Sequence, residues 1–187
     1  RSYVNGIFMG YKWQCVELAR RWLYLNRGYI FDGVGMAYDI FQLRSVRVVK
    51  DNRLLPLRSF RNGALRPPEP GCLLVWDEGG DFEDTGHVAI VTEVGADRVR
   101  VIEQNVEHRV WPSPQNYSRE LPLARTPAGG YWIDAGGTVP DSGGTAILGW
   151  VIQTADDTHA VRWQTIDPRL FNPQLRYDVA RDLQPIS

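Results

Sequence analysis

The chain of 187 residues is 43% hydrophobic and 11% aromatic with a formal charge of −1, which supports one folded domain with a full core and excludes a disordered chain. Lys and Arg are scattered and the pI is near 6.3, so neither nucleic acid nor an anionic membrane surface is expected as a partner. No apolar run approaches the roughly 20 residues that span a bilayer.

In chain order, Val16, Ala19 and Leu23 form one stripe with Leu18, Trp22 and Leu25 beside it. This spacing predicts a helix from about Gln14 to Asn26, stopped at Gly28. Cys15 falls in its first turn, where unpaired backbone N–H groups favour the thiolate, and Glu17 suits the same positive end. A second short helix is predicted around Met36–Leu43, then a strand at Val46–Lys50. The stretch Leu65–Gly71, with three prolines, is a turn-rich lead into a sheet. Strands are predicted at Cys72–Trp76, His87–Val94, Arg98–Gln104, Tyr117–Leu123, Gly130–Asp134 and Ile147–Thr154, with Ala135–Gly144 a surface loop. A helix followed by antiparallel strands makes residues 1–157 an α+β domain. Residues 158–187 read as a C-terminal appendage or linker with a short helix opened by Asn172-Pro173, its stripe formed by Leu175, Val179 and Leu183.

Two cysteines cannot form a disulfide scaffold, though they could make one bridge. Cys72 lies in the strand-like run Gly71–Trp76 and is read as a buried structural thiol, so both are expected to be free. That usage suits a reducing compartment, and the cytoplasm is the expected location. The first residue is not Met, which is compatible with removal of a leader.

Cys15, His87 at the mouth of an apolar strand, and the polar pair Glu103 and Asn105 at the end of the next strand suggest a nucleophilic site. Register decides whether they meet, because side chains alternate along a strand. If Gly95-Ala96-Asp97 is a three-residue loop, Val94 pairs with Arg98, Ala89 with Glu103 and His87 with Asn105. Both polar residues then share the histidine's face, Glu103 on a diagonal of roughly 7–8 Å. A two-residue loop would put them on opposite faces. His87 would take the thiol proton and later protonate the leaving amine, and either Glu103 or Asn105 would orient its ring. The Cys15 N–H and the Gln14 side chain could stabilise an oxyanion. Asp77, Glu78, Asp81, Glu83 and Asp84 crowd the stretch before His87, where they could attract a polycation to a cleft or simply be solvated.

Several separate stretches carry a resemblance. Lys12-Trp13-Gln14-Cys15-Val16-Glu17, Gly35-Met36-Ala37, Leu55-Pro56-Leu57, Asp84-Thr85-Gly86-His87-Val88-Ala89-Ile90, Glu103-Gln104-Asn105-Val106 and Ile147-Leu148-Gly149-Trp150-Val151-Ile152-Gln153-Thr154 occur in order over most of residues 1–157. They resemble the amidase domain of bifunctional glutathionylspermidine synthetase/amidases, within the CHAP group of papain-like cysteine amidases and peptidases. The resemblance implies a papain-like CHAP fold, with the nucleophile's helix packed on an antiparallel sheet carrying His and Glu. It also implies hydrolysis of the amide between glutathione and spermidine through a thioester. By the family pattern Cys15 is the nucleophile, His87 the base, Glu103 the orienting acid and Gln14 part of the oxyanion hole, with Arg20 placed toward substrate or the polar network. The substrate is then a small glutathione–polyamine conjugate, and no metal or cofactor is expected.

The stretch 127–144 departs from the pattern. Residues 158–187 are too few for an ATP-dependent synthetase half, to which such domains are linked, so synthesis is not expected here. The alternative reading is a peptidoglycan hydrolase, since related CHAP domains cut cell-wall peptides; the acidic stretch and near-neutral charge weigh against it. A binding module that has lost activity is a third reading, opposed by the intact Cys, His and Glu.

Overall fold

The amphipathic run near the start folds as helix α1, Cys15–Arg27, close to the predicted limits. Gly28 ends it in the left-handed region (φ 73°), and its N–H donates to the Tyr24 carbonyl at 2.9 Å, a conformation in which a Cβ would be penalised. The computed structural model describes residues 1–106, 110–135 and 146–154. The expected appendage 158–187 with its short helix lies outside these residues, as does the predicted loop 135–144 apart from Ala135.

Two strands precede the helix, β1 (Ser2–Val4) and β2 (Ile7–Gly10), paired as a separate hairpin. The others are β3 (Tyr29–Phe31), β4 (Ser45–Val48), β5 (Leu54–Arg61), β6 (Leu73–Trp76), β7 (His87–Val94), β8 (Arg98–Ile102), β9 (Arg119–Arg125), β10 (Tyr131–Ile133) and β11 (Ile147–Gln153). They form one nine-stranded antiparallel sheet in the order β10-β9-β8-β7-β6-β11-β5-β4-β3. One helix on a large antiparallel sheet is the α+β architecture expected. A 3-10 turn at Ala37–Gln42 replaces the second predicted helix.

Four strands were not foreseen. β1, β2 and β3 are too short for alternation to register. β5 contains Pro56, which cannot donate to a ladder and argues against a central strand. It is tolerated because Pro56 pairs with Ser45 at the end of the β4–β5 ladder, while its carbonyl still accepts from the Thr154 N–H at 3.1 Å.

β6 and β7 are buried on both faces, which explains their unbroken apolar runs. Val75, Val88 and Ile90 face α1 and pack with Cys15, Ala19 and Leu23. Cys72, Leu74, Ala89 and Val91 face the other way, into a second core with Val101, Leu121 and Trp150. That second face is covered because the sheet curls. Gly63 donates to the Tyr131 carbonyl at 2.6 Å and Tyr131 to the Ala64 carbonyl at 2.8 Å, bringing β10 round to the end of β5. No helix among the described residues is long and apolar enough to cross a membrane.

The β7–β8 hairpin corrects the predicted loop. Val94 pairs with Val99, and the Gly95 N–H donates to the Arg98 carbonyl at 2.8 Å, so only Ala96 and Asp97 make the turn. Continued unchanged, this register would put Glu103 on the face opposite His87. A bulge intervenes: Glu93 pairs with Arg100 but Val91 with Val101, leaving Thr92 as the extra residue. The Thr92 hydroxyl donates to the Arg100 carbonyl at 3.2 Å. Beyond the bulge Ile90 pairs with Ile102, the phase expected from the three-residue loop. The parity needed by the site was right, and its cause was a bulge.

The sheet closure makes one substitution diagnostic. A Cβ on Gly130 would overlap the Gly63 carbonyl oxygen, a backbone atom that cannot swing aside. Gly130→Ala is expected to destabilise the fold by about 2–3 kcal/mol, measured by urea unfolding.

Candidate active site

The start of α1 is built by a turn. Gln14 N–H donates to the Tyr11 carbonyl at 3.2 Å and Trp13 takes a left-handed backbone (φ 71°), sparsely populated for a bulky residue. Gln14 is the N-cap, with no side-chain capping bond, and Cys15 the first helical residue. The thiol is 8% exposed, at the floor of a cleft of about 660 Å³.

His87 opens β7 beside Trp76 of β6, its register partner, and is 2% exposed. Gly86, just before it, has φ 62°, and a Cβ there would lie 2.7 Å from the Trp76 carbonyl oxygen, so the entry into the strand requires glycine. The His87 ring stacks on Phe82 at 4.4 Å between centroids and lies 5.3 Å from Trp76. Nε2 is 2.9 Å from Glu103 Oε2, and the imidazole also hydrogen-bonds the Cys15 thiol. The structure therefore brings Cys15, His87 and Glu103 into one hydrogen-bonded line.

Asn105, the other candidate to orient the ring, leaves the sheet with φ 67° and donates its side-chain N–H to Gln14 Oε1 at 3.2 Å. The ring's partner is thus Glu103. Asn105 instead binds the Gln14 amide at its oxygen, which leaves Nε2 as the donor of a residue that lines the cleft with Cys15.

Arg119, at the start of β9, was missed in the sequence. Its Nε donates to Glu103 Oε1 at 2.6 Å and its Nη2 to Oε2 at 2.8 Å, while its guanidinium lies 5.3 Å from the Trp76 ring centre. Nothing in the local pattern marks it; only the pairing of Val101 with Arg119 brings it to the carboxylate. Phe82 was likewise passed over as part of an acidic stretch.

Burial would raise the Cys15 pKa, but the hydrogen bond and charge of His87, with backbone bonds from Val88 and Val16, lower it overall. Burial would lower His87, yet the bonds to Cys15 and Glu103 raise it. Burial would also raise Glu103, but His87 and Arg119 hold it below the ordinary carboxylate value. These shifts favour charges that alternate along the line, from thiolate and imidazolium to carboxylate and guanidinium. Such an arrangement can deliver a nucleophilic sulfur and return a proton to a leaving group. Cys72 is different: buried without a cationic partner, its thiol is pushed up to about 12.

The remaining candidates divide. Arg20 lines the cleft and is buried, its guanidinium 5.8 Å from the Phe31 ring centre. Asp81 and Glu83 also line the cleft, whereas Asp77, Glu78 and Asp84 lie outside its lining. The hairpin β1–β2 contributes a wall through Phe8 and Met9, which the sequence did not reveal. No group of three or more His, Cys, Asp or Glu among the described residues is placed to hold a metal.

Residues 6–105 match the model of the CHAP domain family. The chain is 48% identical over 161 residues to the bifunctional glutathionylspermidine synthetase/amidase of Escherichia coli (strain K12), covering 86% of this chain and 25% of that protein. It is 36% identical over 121 residues to a trypanothione synthetase of Crithidia fasciculata, covering 65% of this chain and 18% of that protein. A glutathionylspermidine synthase of the same organism is 37% identical over 123 residues, 65% of this chain and 17% of that protein. The chain thus matches a quarter or less of these relatives' length.

Two measurements follow from the coupled pair. Cys15 is expected to be alkylated by iodoacetamide at pH values below the ordinary thiol range of about 8.5. Glu103→Gln removes the charge that favours the imidazolium, so the alkylation midpoint should move to higher pH. An unmoved midpoint would mean that Glu103 does not support the pair.

Proposed function

The chain belongs to the CHAP domain family, and from that premise we propose that it is a cysteine amidase that hydrolyses glutathionylspermidine, or a close glutathione–polyamine conjugate, to glutathione and spermidine. The observation that carries this reading is the charge division of the cleft around a paired thiol and imidazole. Helix α1 contributes Arg20, a cation for the acidic glutathionyl part, and the loop leading to His87 contributes Asp81 and Glu83 for a polyamine. His87 must protonate the departing nitrogen, so carboxylates on its own loop suit a leaving group that is a polycation.

The Cys15 thiolate attacks the glycyl carbonyl, and the oxyanion is met by the Cys15 N–H and Gln14 Nε2. Collapse breaks the C–N bond as His87 gives its proton to the amine, leaving a thioester. His87 then takes a proton from water, the hydroxide attacks the thioester, and glutathione leaves as its carboxylate while the sulfur is restored. Glu103 keeps the ring oriented and favours the imidazolium, and Arg119 keeps Glu103 ionised in a buried position. No metal or cofactor enters these steps. A substrate built on glutathione fits a cytoplasmic protein, and the relatives' greater length fits a chain linked to an ATP-dependent synthetase domain.

Incubation with glutathionylspermidine should release spermidine, and Cys15→Ala should reduce turnover by at least about a thousandfold. Turnover surviving that substitution would remove Cys15 from the mechanism. Cleavage of muropeptides with none of the polyamine conjugate would replace this reading with a cell-wall hydrolase. Asp81→Asn with Glu83→Gln should raise KM for the conjugate roughly threefold to tenfold with kcat little changed, and added salt should narrow the difference. An unchanged KM would leave these carboxylates merely solvated.

A further inference from the structure

Glu17 has no role in the mechanism above, yet its side chain is 2% exposed and is the meeting point of three parts of the chain. Ser2 Oγ donates to Oε1 at 2.7 Å from β1, and Arg21 Nε donates to the same oxygen at 2.8 Å from the next helical turn. Oε2 accepts from Arg21 Nη2 at 3.2 Å and from Gln104 Nε2 at 3.3 Å. Burial would raise the carboxyl, but the Arg21 and Ser2 bonds hold it below its ordinary value, so it is ionised. β2 passes directly over it, since a Cβ on Gly10 would lie 3.1 Å from Glu17 Cβ.

The segment beyond β8 depends on this carboxylate. The ladder ends at Ile102 and Asn105 sits in the left-handed region, so no strand pairing holds Gln104 and Asn105. Among the described residues, every side-chain hydrogen bond of these two runs to Gln14, Glu17 or Arg21. Gln104 Nε2 lies 3.4 Å from the Gln14 carbonyl oxygen, Arg21 Nη2 lies 3.4 Å from Gln104 Oε1, and Asn105 turns the Gln14 amide. The carboxylate therefore reaches the thiol's neighbour through two side chains and not through the imidazole.

We propose that Glu17 is a positioning residue for the oxyanion hole, seating Gln104 and Asn105 so that the Gln14 amide is aimed at the reacting carbonyl. The inference rests on the assignment of Cys15 as nucleophile and Gln14 as oxyanion donor. It separates two properties that a general structural role would move together: alkylation by iodoacetamide needs the thiolate alone, whereas acylation also needs the oxyanion hole.

The test compares the p-nitrophenyl acetate burst, which reads acylation of Cys15, with alkylation by iodoacetamide in the full chain. The variants are Glu17→Gln and Gln104→Ala, at a temperature where circular dichroism shows each folded. Acylation should fall about tenfold in both while alkylation stays within about twofold. The double variant should lose little more than Glu17→Gln alone. Unchanged acylation, or equal losses in both reactions, would overturn the proposal. If Glu17→Gln does not fold, Gln104→Ala decides by the same two rates. A parent chain that is neither acylated nor alkylated at Cys15 would instead remove the nucleophile assignment, and this inference with it.

Discussion

Everything at the site depends on holding an imidazolium in a place that water hardly reaches. His87 is buried against Phe82 and Trp76, surroundings that by themselves favour the neutral ring. Its pKa is nonetheless raised, because the ring bonds both Cys15 and Glu103. Glu103 is itself buried, with 3% of its side chain exposed, and a carboxylate there needs more than one partner. Arg119 supplies it with both arms of its guanidinium. The pair of most chemical interest is thus the end of a chain of four charges, each stabilised by the next.

The fold meets that demand through strand register. Trp76 and His87 are partners in the β6–β7 ladder, Val101 and Arg119 in the β8–β9 ladder, and the Thr92 bulge sets the phase between them. A one-residue slip in any of these ladders would turn a charged side chain to the opposite face. The thiol comes from the other side, on a helix packed against Val88 and Ile90 of the same strand that begins with His87. One strand therefore carries His87 at its start and the surface on which the helix of Cys15 rests, which fixes their separation.

In the proposed reading, catalysis and substrate selection fall to different kinds of structure in the cleft. The charged line sits on strand ends and a helix, elements whose positions are set by two cores. Its walls come from less regular parts: the hairpin β1–β2 and the stretch Gly79–Gly86, where Glu83 adopts φ 43°. These parts can differ between relatives without disturbing the thiol and its base.

The residues of the helix start, the strand mouth and Glu103 were legible in the sequence because helical and alternating periods are local and because cysteine, histidine and a carboxylate have few joint uses. The sequence alone determined the helix and strands that carry Cys15 and His87 and lead to Glu103. It did not show Arg119, Phe82 or the hub at Glu17, since an arginine at a strand start and a glutamate in a first helical turn look the same whether solvated or buried. It misjudged the hairpin turn, because a two-residue turn with a bulge and a three-residue turn leave the same parity beyond them. Only the tertiary structure decided these points: partners distant in sequence are chosen by register, curl and burial, which arise when the whole sheet is assembled.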